Sequence, residues 1–371
     1  MKCKLSEVAN IKMGQSPSGN DLNTDGKGVP FLQGRKTFGR IYPTIDTWTT
    51  NPKKIGNKGS ILLSLRAPVG DVNIADQDIC IGRGLCSIER KGNCIQEYLY
   101  YLLLFNKQAL KSKATGTTFE GINRDDLKNL EVEIPSLEIQ KKIVRILSSI
   151  DRKIEANELQ SRILFNTSQG IHQDLLDSFS GDYVAFNELK DLGTITMGQS
   201  PKGDSYNNNR DGLPLINGAA DYKNSFLKAQ KYTSNPIKTC SKNDLIFCIR
   251  ATIGLLVVSD NEYCLGRGVA AIKNINPVYR EYSYHIINSS IDTFKRMATG
   301  SVIIGINRDD IEKILVKRPT EDEMTKYHSI QRPIFERIEN IRLENLALRR
   351  IRALLLPKLM SDEISLENVS L

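Results

Sequence analysis

The sequence repeats itself at one fixed distance, and this constrains the fold more than any other property of the chain. Under a shift of 184 residues, Ile11-Lys12-Met13-Gly14-Gln15-Ser16-Pro17-Ser18-Gly19 returns as Ile195-Thr196-Met197-Gly198-Gln199-Ser200-Pro201-Lys202-Gly203. Arg66-Ala67-Pro68-Val69-Gly70 returns as Arg250-Ala251-Thr252-Ile253-Gly254, and Cys80-Ile81-Gly82-Arg83-Gly84 as Cys264-Leu265-Gly266-Arg267-Gly268. Ala114-Thr115-Gly116 and Gly121-Ile122-Asn123-Arg124 return as Ala298-Thr299-Gly300 and Gly305-Ile306-Asn307-Arg308. The offset never changes, so the chain is a duplication without insertion, and whatever the first half folds into the second half repeats.

Each half ends in a long helical stretch. Pro135 fixes its start, Ser136 can cap the first free amides, and no further Pro and a single Gly follow before about residue 180, which predicts one helix over 136–180. Ile143, Leu147, Ile150, Ile154, Leu164, Ile171 and Leu175 follow the alternating spacing of a coiled-coil seam. The second copy opens with Thr320-Glu321-Asp322-Glu323, a capping-box pattern, and carries Tyr327, Ile334, Ile338, Ile341, Leu348, Leu355 and Leu359 on its seam. Asn157, Ser161 and Ser168 on one helix, and Gln331, Asn345 and Arg352 on the other, place polar groups there, a device that sets register at some cost in stability. Pro333 is expected to kink the second helix or delay its start. A helix of ~40 residues is ~60 Å long, too long to pack inside one compact domain, so each needs a partner and the other copy supplies it. The expected fold class is therefore α+β: two mixed α/β domains, at 1–135 and 181–319, separated by two long antiparallel coiled-coil helices, at 136–180 and 320–371, in a pseudo-two-fold arrangement.

Within each globular half, short apolar stretches broken by Gly and Pro predict strands at 61–65, 72–75, 85–88 and 130–134, with one helix at 95–111 and a counterpart at 278–297. Tyr98, Tyr100 and Tyr101 lie at helical spacing and are read as core rather than as a base-stacking surface. The net charge of +8 divides unevenly: +5 over residues 1–135, −1 over 136–184, +5 over 185–319 and −1 over 320–371. Basic charge belongs to the two globular parts, which favours a polyanionic partner. Seven cysteines without a CxxC pair point to reduced, buried thiols in a cytoplasmic protein, and His172, His285 and His328 lack ligand spacing, so no metal is expected. No signal peptide is expected behind Met1-Lys2-Cys3-Lys4, and no run of eighteen apolar residues suggests a membrane span.

Catalytic motifs are missing. Neither GxxxxGK[ST] nor GxGxxG occurs. Asn276-Pro277-Val278-Tyr279 is similar to an amino-methyltransferase motif but lacks its second proline, and reads as a helix-start turn. Asp71 with Glu89-Arg90-Lys91 could imitate a Mg²⁺-holding carboxylate set, but the second copy has Leu255 and Lys273 at these places, which excludes a site duplicated in both halves. What remains are turns rich in donors. Gln15, Ser16, Arg66, Arg83, Asn123 and Arg124, with their counterparts Gln199, Ser200, Arg250, Arg267, Asn307 and Arg308, are candidates for DNA contact, together with Lys202. Gly14, Gly70, Gly82 and Gly84 are read as shaping the chain, and Arg124 with Asp125 equally suits an internal ion pair at a helix start.

At this point the residues resemble a known family. The run from Pro135 to Glu155 is similar to the central conserved region of the specificity (S, HsdS) subunits of type I restriction-modification systems. Glu344-Asn345-Leu346 with Arg352-Ala353-Leu354-Leu355-Leu356-Pro357-Lys358-Leu359-Met360-Ser361 looks like their distal conserved region. The second helix departs from the first at Met324, Tyr327 and Pro333. The resemblance implies a non-catalytic DNA-recognition subunit whose two target recognition domains each read one half of a bipartite double-stranded target. It implies modification (methyltransferase) subunits, two of them, docked through the helices that carry Ile143, Leu147, Ile150, Ile154, Ile338, Ile341, Leu348 and Leu355, and restriction subunits joining that core. No cofactor is expected on this chain; S-adenosylmethionine, and ATP with Mg for restriction, are expected on the partner subunits.

If positions shared by the copies serve fold and phosphates, base readers should differ between them. The loop after Pro30 reads Gln33-Gly34-Arg35-Lys36-Thr37-Phe38-Gly39-Arg40 in the first copy and Asn217-Gly218-Ala219-Ala220-Asp221-Tyr222-Lys223-Asn224 in the second. Gln33 and Asn217 suit adenine, Arg35 and Lys36 suit guanine, and Lys223 lies on the same loop. Alanine at Arg35 should relax one half-site by about 1–3 kcal/mol and leave the other unchanged. Two alternatives stay open at this stage: a merely solvated hairpin here, and a two-fold protein-binding scaffold that never touches DNA.

Overall fold

The computed structural model describes residues 1–113, 121–179, 186–223, 226–298, 305–317 and 319–367. The Ala-Thr-Gly stretches at 114–116 and 299–300, and Asn224, lie outside them. Contacts divide the chain into two units, Met1–Ala156 with Glu344–Leu371 and Asn157–Leu343. Each unit thus combines one globular half of the repeat with part of both long helices.

In unit 1 the alternation of side chains along strands builds two cores from one sheet. An antiparallel sheet runs in the order Ala9–Met13, Leu85–Arg90, Ile61–Ser64, Val72–Ile74. Ile61, Leu63, Cys86 and Ile88 point from it into a core shared with the helices, while Leu62 and Leu85 point the other way, against Leu32, Ile79 and Ile81. That second layer is a five-stranded sheet, Leu22–Asn23, Trp48–Thr49, Val29–Leu32, Ile79–Ile81, Ile55–Gly56, in which Val29–Leu32 and Ile79–Ile81 pair in parallel. A continuous apolar stretch such as Ile61-Leu62-Leu63 is what a strand buried on both faces requires. Unit 2 repeats the scheme. Leu245 and Phe247 face the helical core and Ile246 and Cys248 the other, with Ala270 and Ile272 opposed to Val269 and Ala271 in the same way. The five-stranded layer was not anticipated from sequence, because its strands are two to four residues long and give no periodic signal.

The helix expected at 95–111 is divided at Asn106 into Gln96–Phe105 and Lys107–Ser112. Asn106 donates from Nδ2 to the Leu102 carbonyl at 2.9 Å, the local competition with the backbone ladder that disfavours Asn inside helices. Tyr98, Tyr100 and Tyr101 are buried, as expected of core residues.

The two long helices span Leu137–Ser178 and Glu321–Met360. The second runs without interruption through Pro333, so the late start expected there is corrected. Pro333 and Ser329, whose carbonyl it cannot bond, are both exposed residues, while Gln331 keeps its buried place on the seam. Within unit 1 the helices run antiparallel: Lys153 pairs with Glu344 at 3.3 Å, Asp151 with Arg352 at 2.8 Å, and Lys142 Nζ donates to the Leu366 carbonyl at 3.0 Å. Within unit 2 they do the same, through Arg337 to Gln160 at 3.3 Å, Gln331 to the Ser168 carbonyl at 2.9 Å, and His172 to Tyr327 at 2.7 Å.

The seam is more polar than the apolar spacing indicated. In unit 1 the buried position is Asp151, beside the half-buried Ile150. Its carboxylate accepts from the Tyr101 hydroxyl at 2.8 Å and from Arg40 Nη1 at 3.2 Å, and Arg352 Nε lies 2.8 Å from it as an ion pair off the hydrogen-bond direction. Arg40 also donates to the Asp151 carbonyl at 3.2 Å, so the loop after Pro30 is pinned to the helix at its far end and is not a free hairpin. At the helix start, the buried Gln140 amide accepts from the Ile95 N–H at 2.9 Å and donates to the Asn93 and Pro135 carbonyls at 3.0 Å each. In unit 2 the buried residue is His172, beside the half-buried Ile171. The His172 and His285 rings stack with centroids 4.7 Å apart, and Ser168 Oγ lies 2.8 Å from His285 Nε2. Burial lowers the His172 pKa to about 4, and burial together with repulsion from His172 lowers that of His285 to about 3, so both rings are neutral at pH 7.

Candidate nucleic-acid interface

Three turns of each unit are stitched together by the residues that the repeat preserves. In unit 1 the Gly14 and Gln15 amides donate to the Leu85 and Ile81 carbonyls at 2.9 and 2.8 Å. Gly82 N donates to the Leu32 carbonyl at 2.8 Å and Gly84 N to the Gln33 carbonyl at 3.2 Å. Ser16 Oγ accepts from Arg83 N at 3.2 Å and donates to Gln33 Oε1 at 2.8 Å. The glycines are steric necessities here: a Cβ on Gly14 would stand 2.2 Å from the Gly82 carbonyl oxygen, and one on Gly82 would meet Gln33 Cα at 2.9 Å. Unit 2 repeats the stitching. Gly198 and Gln199 donate to Val269 and Leu265, Gly266 to Ile216, and Ser200 Oγ accepts from Arg267 N at 3.1 Å. A Cβ on Gly266 would stand 2.1 Å from Asn217 Oδ1.

In unit 1 this arrangement gathers Gln33, Arg35, Arg66 and Arg83, four residues singled out from sequence and far apart along it, around one open pocket of about 290 Å³. Three guanidiniums and an amide make a surface made chiefly of donors, which suits an acceptor-rich partner such as phosphate oxygens or the guanine edge. Arg35 is not loose in it. Its Nη1 is paired with Asp71 Oδ2, and Asp71 Oδ1 accepts from Lys107 Nζ at 2.5 Å. Asp71 is anchored in turn, its backbone N donating to Ser64 Oγ at 2.9 Å. Asp71 and Glu89, weighed above as a carboxylate pair, are engaged separately, Glu89 accepting from Asn57 Nδ2 at 2.7 Å. Among the described residues no group of three or more His, Cys, Asp or Glu is placed to hold a metal ion, and no helix is long and apolar enough to cross a membrane.

The other candidates fall elsewhere. Gln15, Lys36, Gln199, Lys202, Asn217, Arg250 and Arg267 are exposed on the turns, and Lys223 is exposed on the short strand Tyr222–Lys223. Asn123 and Asn307 cap short helices: each side-chain oxygen accepts from the third helical amide, and Asp126 and Asp310 return the bond at 2.9 Å. Arg308 Nη2 donates to the Ile195 carbonyl at 2.7 Å and its Nε faces Glu312 at 3.6 Å, whereas Arg124 lines a second open pocket of about 430 Å³ with Lys12, Lys54, Ser87 and Glu89. Arg124 makes no ion pair with Asp125, so of the two readings open for it the internal pair at the helix start is not the one formed. On the helices, Ile143 and Leu147 lie in the core of unit 1, Ile154 and Ile341 are buried, and Ile150, Ile338, Leu348 and Leu355 are half-buried, so the buried positions are occupied by the chain itself. Sequence reasoning gave Lys107 and Arg40 no role of their own. The signal available was their loss in the other copy, where Arg40 becomes Asn224, and Arg35, Asp71 and Lys107 become Ala219, Leu255 and Ile291 as a set.

Fold and site together define a duplicated recognition protein, each unit presenting a basic cluster of turns on a two-sheet body and sharing in a pair of antiparallel helices. A sequence model of the type I restriction modification DNA specificity domain matches residues 1–163 and again residues 182–350, so the chain belongs to the family of type I restriction-modification specificity subunits. The type I restriction enzyme MjaIX specificity subunit of Methanocaldococcus jannaschii is 24% identical over 408 residues, covering 99% of this chain and 94% of that one. A second chain of that organism, provisionally assigned as the MjaX specificity subunit, is 42% identical over 146 residues, a match that spans only 39% of this chain and 34% of the relative. The crystal structure of a type I S subunit from M. genitalium superposes with a TM-score of 0.63 at 17% identity, over 97% of this chain and 96% of that one, and shares the fold.

Proposed function

We propose that each unit reads one half of a bipartite double-stranded DNA target, that the paired helices set the separation of the halves and dock two methyltransferase subunits, and that the chain performs no reaction of its own. S-adenosylmethionine, and ATP with Mg where restriction subunits join, then belong to the partners. The observation that carries this reading is the pocket where Gln33, Arg35, Arg66 and Arg83 converge, on turns whose stitching recurs in unit 2. The occurrence of two DNA-specificity domains in one chain supports two half-sites. Because the buried seam residues are occupied within the chain, partner subunits would use outward apolar positions instead. Ile351 and Leu354 in unit 1 are 45% and 64% exposed, and Leu159 and Ile163 in unit 2 are 50% and 56% exposed.

Co-expression with the neighbouring methyltransferase, followed by mapping of methylated adenines, tests the reading. Exchange of residues 1–135 and 185–319 should exchange the order of the half-sites. A methylation pattern that ignores the exchange, or complexes whose DNA retention is unchanged by rising salt, would sink it.

A further inference from the structure

We propose that Asp71 and Lys107 make the first recognition unit, and not the second, select guanine, by holding Arg35 with its free N–H groups toward the pocket. The inference rests on the DNA-recognition reading above and identifies a base-reading group together with the residues that position it.

A guanidinium has five N–H donors in a rigid plane, and a free arginine side chain spreads them over many rotamers. Here one nitrogen is fixed by Asp71, itself only 18% exposed, tied to Ser64 on the sheet and to Lys107 at a helix start. The other donors take no part in this pair, and Arg35 lines the pocket beside Arg66, Arg83 and Gln33. Arg66 and Arg83 have arginine counterparts in unit 2, so they provide what both units need, contact with the backbone common to all DNA. Arg35 has Ala219 as its counterpart. Moreover, Asp71 is matched by Leu255 and Lys107 by Ile291, so the clamp is lost together with the group it clamps. Guanine alone among the bases offers two adjacent acceptors, N7 and O6, to such a fork in the major groove.

The test uses the chain assembled with its methyltransferase, with binding measured over duplexes that vary one base pair at a time. Wild type should prefer guanine at one position of one half-site. Asp71→Asn should cut that preference by about tenfold, Arg35→Ala by at least as much, and the double variant by no more than Arg35→Ala alone. The other half-site, the salt slope and the unfolding midpoint should not move. Lys107→Met should give a smaller loss of the same kind. The set Ala219→Arg, Leu255→Asp and Ile291→Lys should install guanine preference at the matching position of the second half-site. Equal tightening on every sequence by Asp71→Asn would mean that Asp71 only screens charge, and independent, additive losses would mean that it does not act through Arg35; either result overturns the inference. A wild-type complex with no sequence preference would instead overturn the recognition reading itself.

Discussion

Asp151 concentrates more of unit 1's architecture on one side chain than any other charged residue described. Replacing it with alanine removes the acceptor of the Tyr101 hydroxyl and the counter-ion of both Arg352 and Arg40. Breaking a buried ion pair from one side costs about 3–5 kcal/mol, because the partner charge stays behind without compensation. Here the arginine side chains keep 23% and 28% of their surface in water, and Arg40 retains Glu155 at 3.8 Å, so the lower end applies: about 3 kcal/mol. For a unit of this size that is a fall in the unfolding midpoint of about 6–12 °C, read by calorimetry, with amide exchange accelerated in residues 96–105 and 345–359 of unit 1. Asp151→Leu with Arg352→Leu should recover a good part of the loss, since burying apolar groups in place of a pair is often neutral, and the repeat itself puts Phe335 and Ser168 at the matching places. A midpoint that stays put in Asp151→Ala, or a double variant as unstable as the two single ones combined, would refute the idea that this carboxylate clamps helix, loop and domain.

Three further outcomes follow from the same geometry. Both stacked histidines of unit 2 have folded pKa values below the ordinary 6.5, so the unfolded chain binds protons that the folded one refuses. Stability should be flat above about pH 6.5 and fall as pH drops toward about 4, by about 2 kcal/mol per histidine at pH 5, measured by urea titration across that window; a flat profile there would contradict the burial. Gln140→Met, the residue found at the matching place in the second helix, should cost about 1–3 kcal/mol by stranding the Ile95 N–H and two carbonyls, seen as a lower urea midpoint with an unchanged slope. Ile351→Asp with Leu354→Asp should weaken methyltransferase association by tenfold or more in sedimentation while leaving the unfolding midpoint intact, whereas Leu147→Ala, fully buried, should cost about 2–5 kcal/mol of folding stability. Retained assembly in the double aspartate variant would move the docking surface elsewhere.

The architecture was legible because duplication makes its own comparison. A constant offset marked out the halves, the helices and the turns that recur in both, and heptad spacing located the seam of Tyr327, Ile341 and Leu359. Glycines whose Cβ would collide with neighbouring carbonyls were recognisable as fold-determining before any coordinates. What stayed hidden were interactions between residues of unlike type and distant position. Nothing in the order of residues says that Asp71 reaches both Arg35 and Lys107, that Asp151 and not Ile150 turns inward, or that Arg40 fastens a loop to a helix. A buried charge is tolerated only where several partners converge, and that convergence is a property of packing in space. Sequence by itself determined the repeat, the two long helices and the mixed α/β character of each half, because these leave a periodic signal, which the short strands of the second layer do not. Tertiary structure alone decided which polar groups those elements bring within bonding distance, because side-chain electrostatics act over a few ångströms and have no regard for separation along the chain.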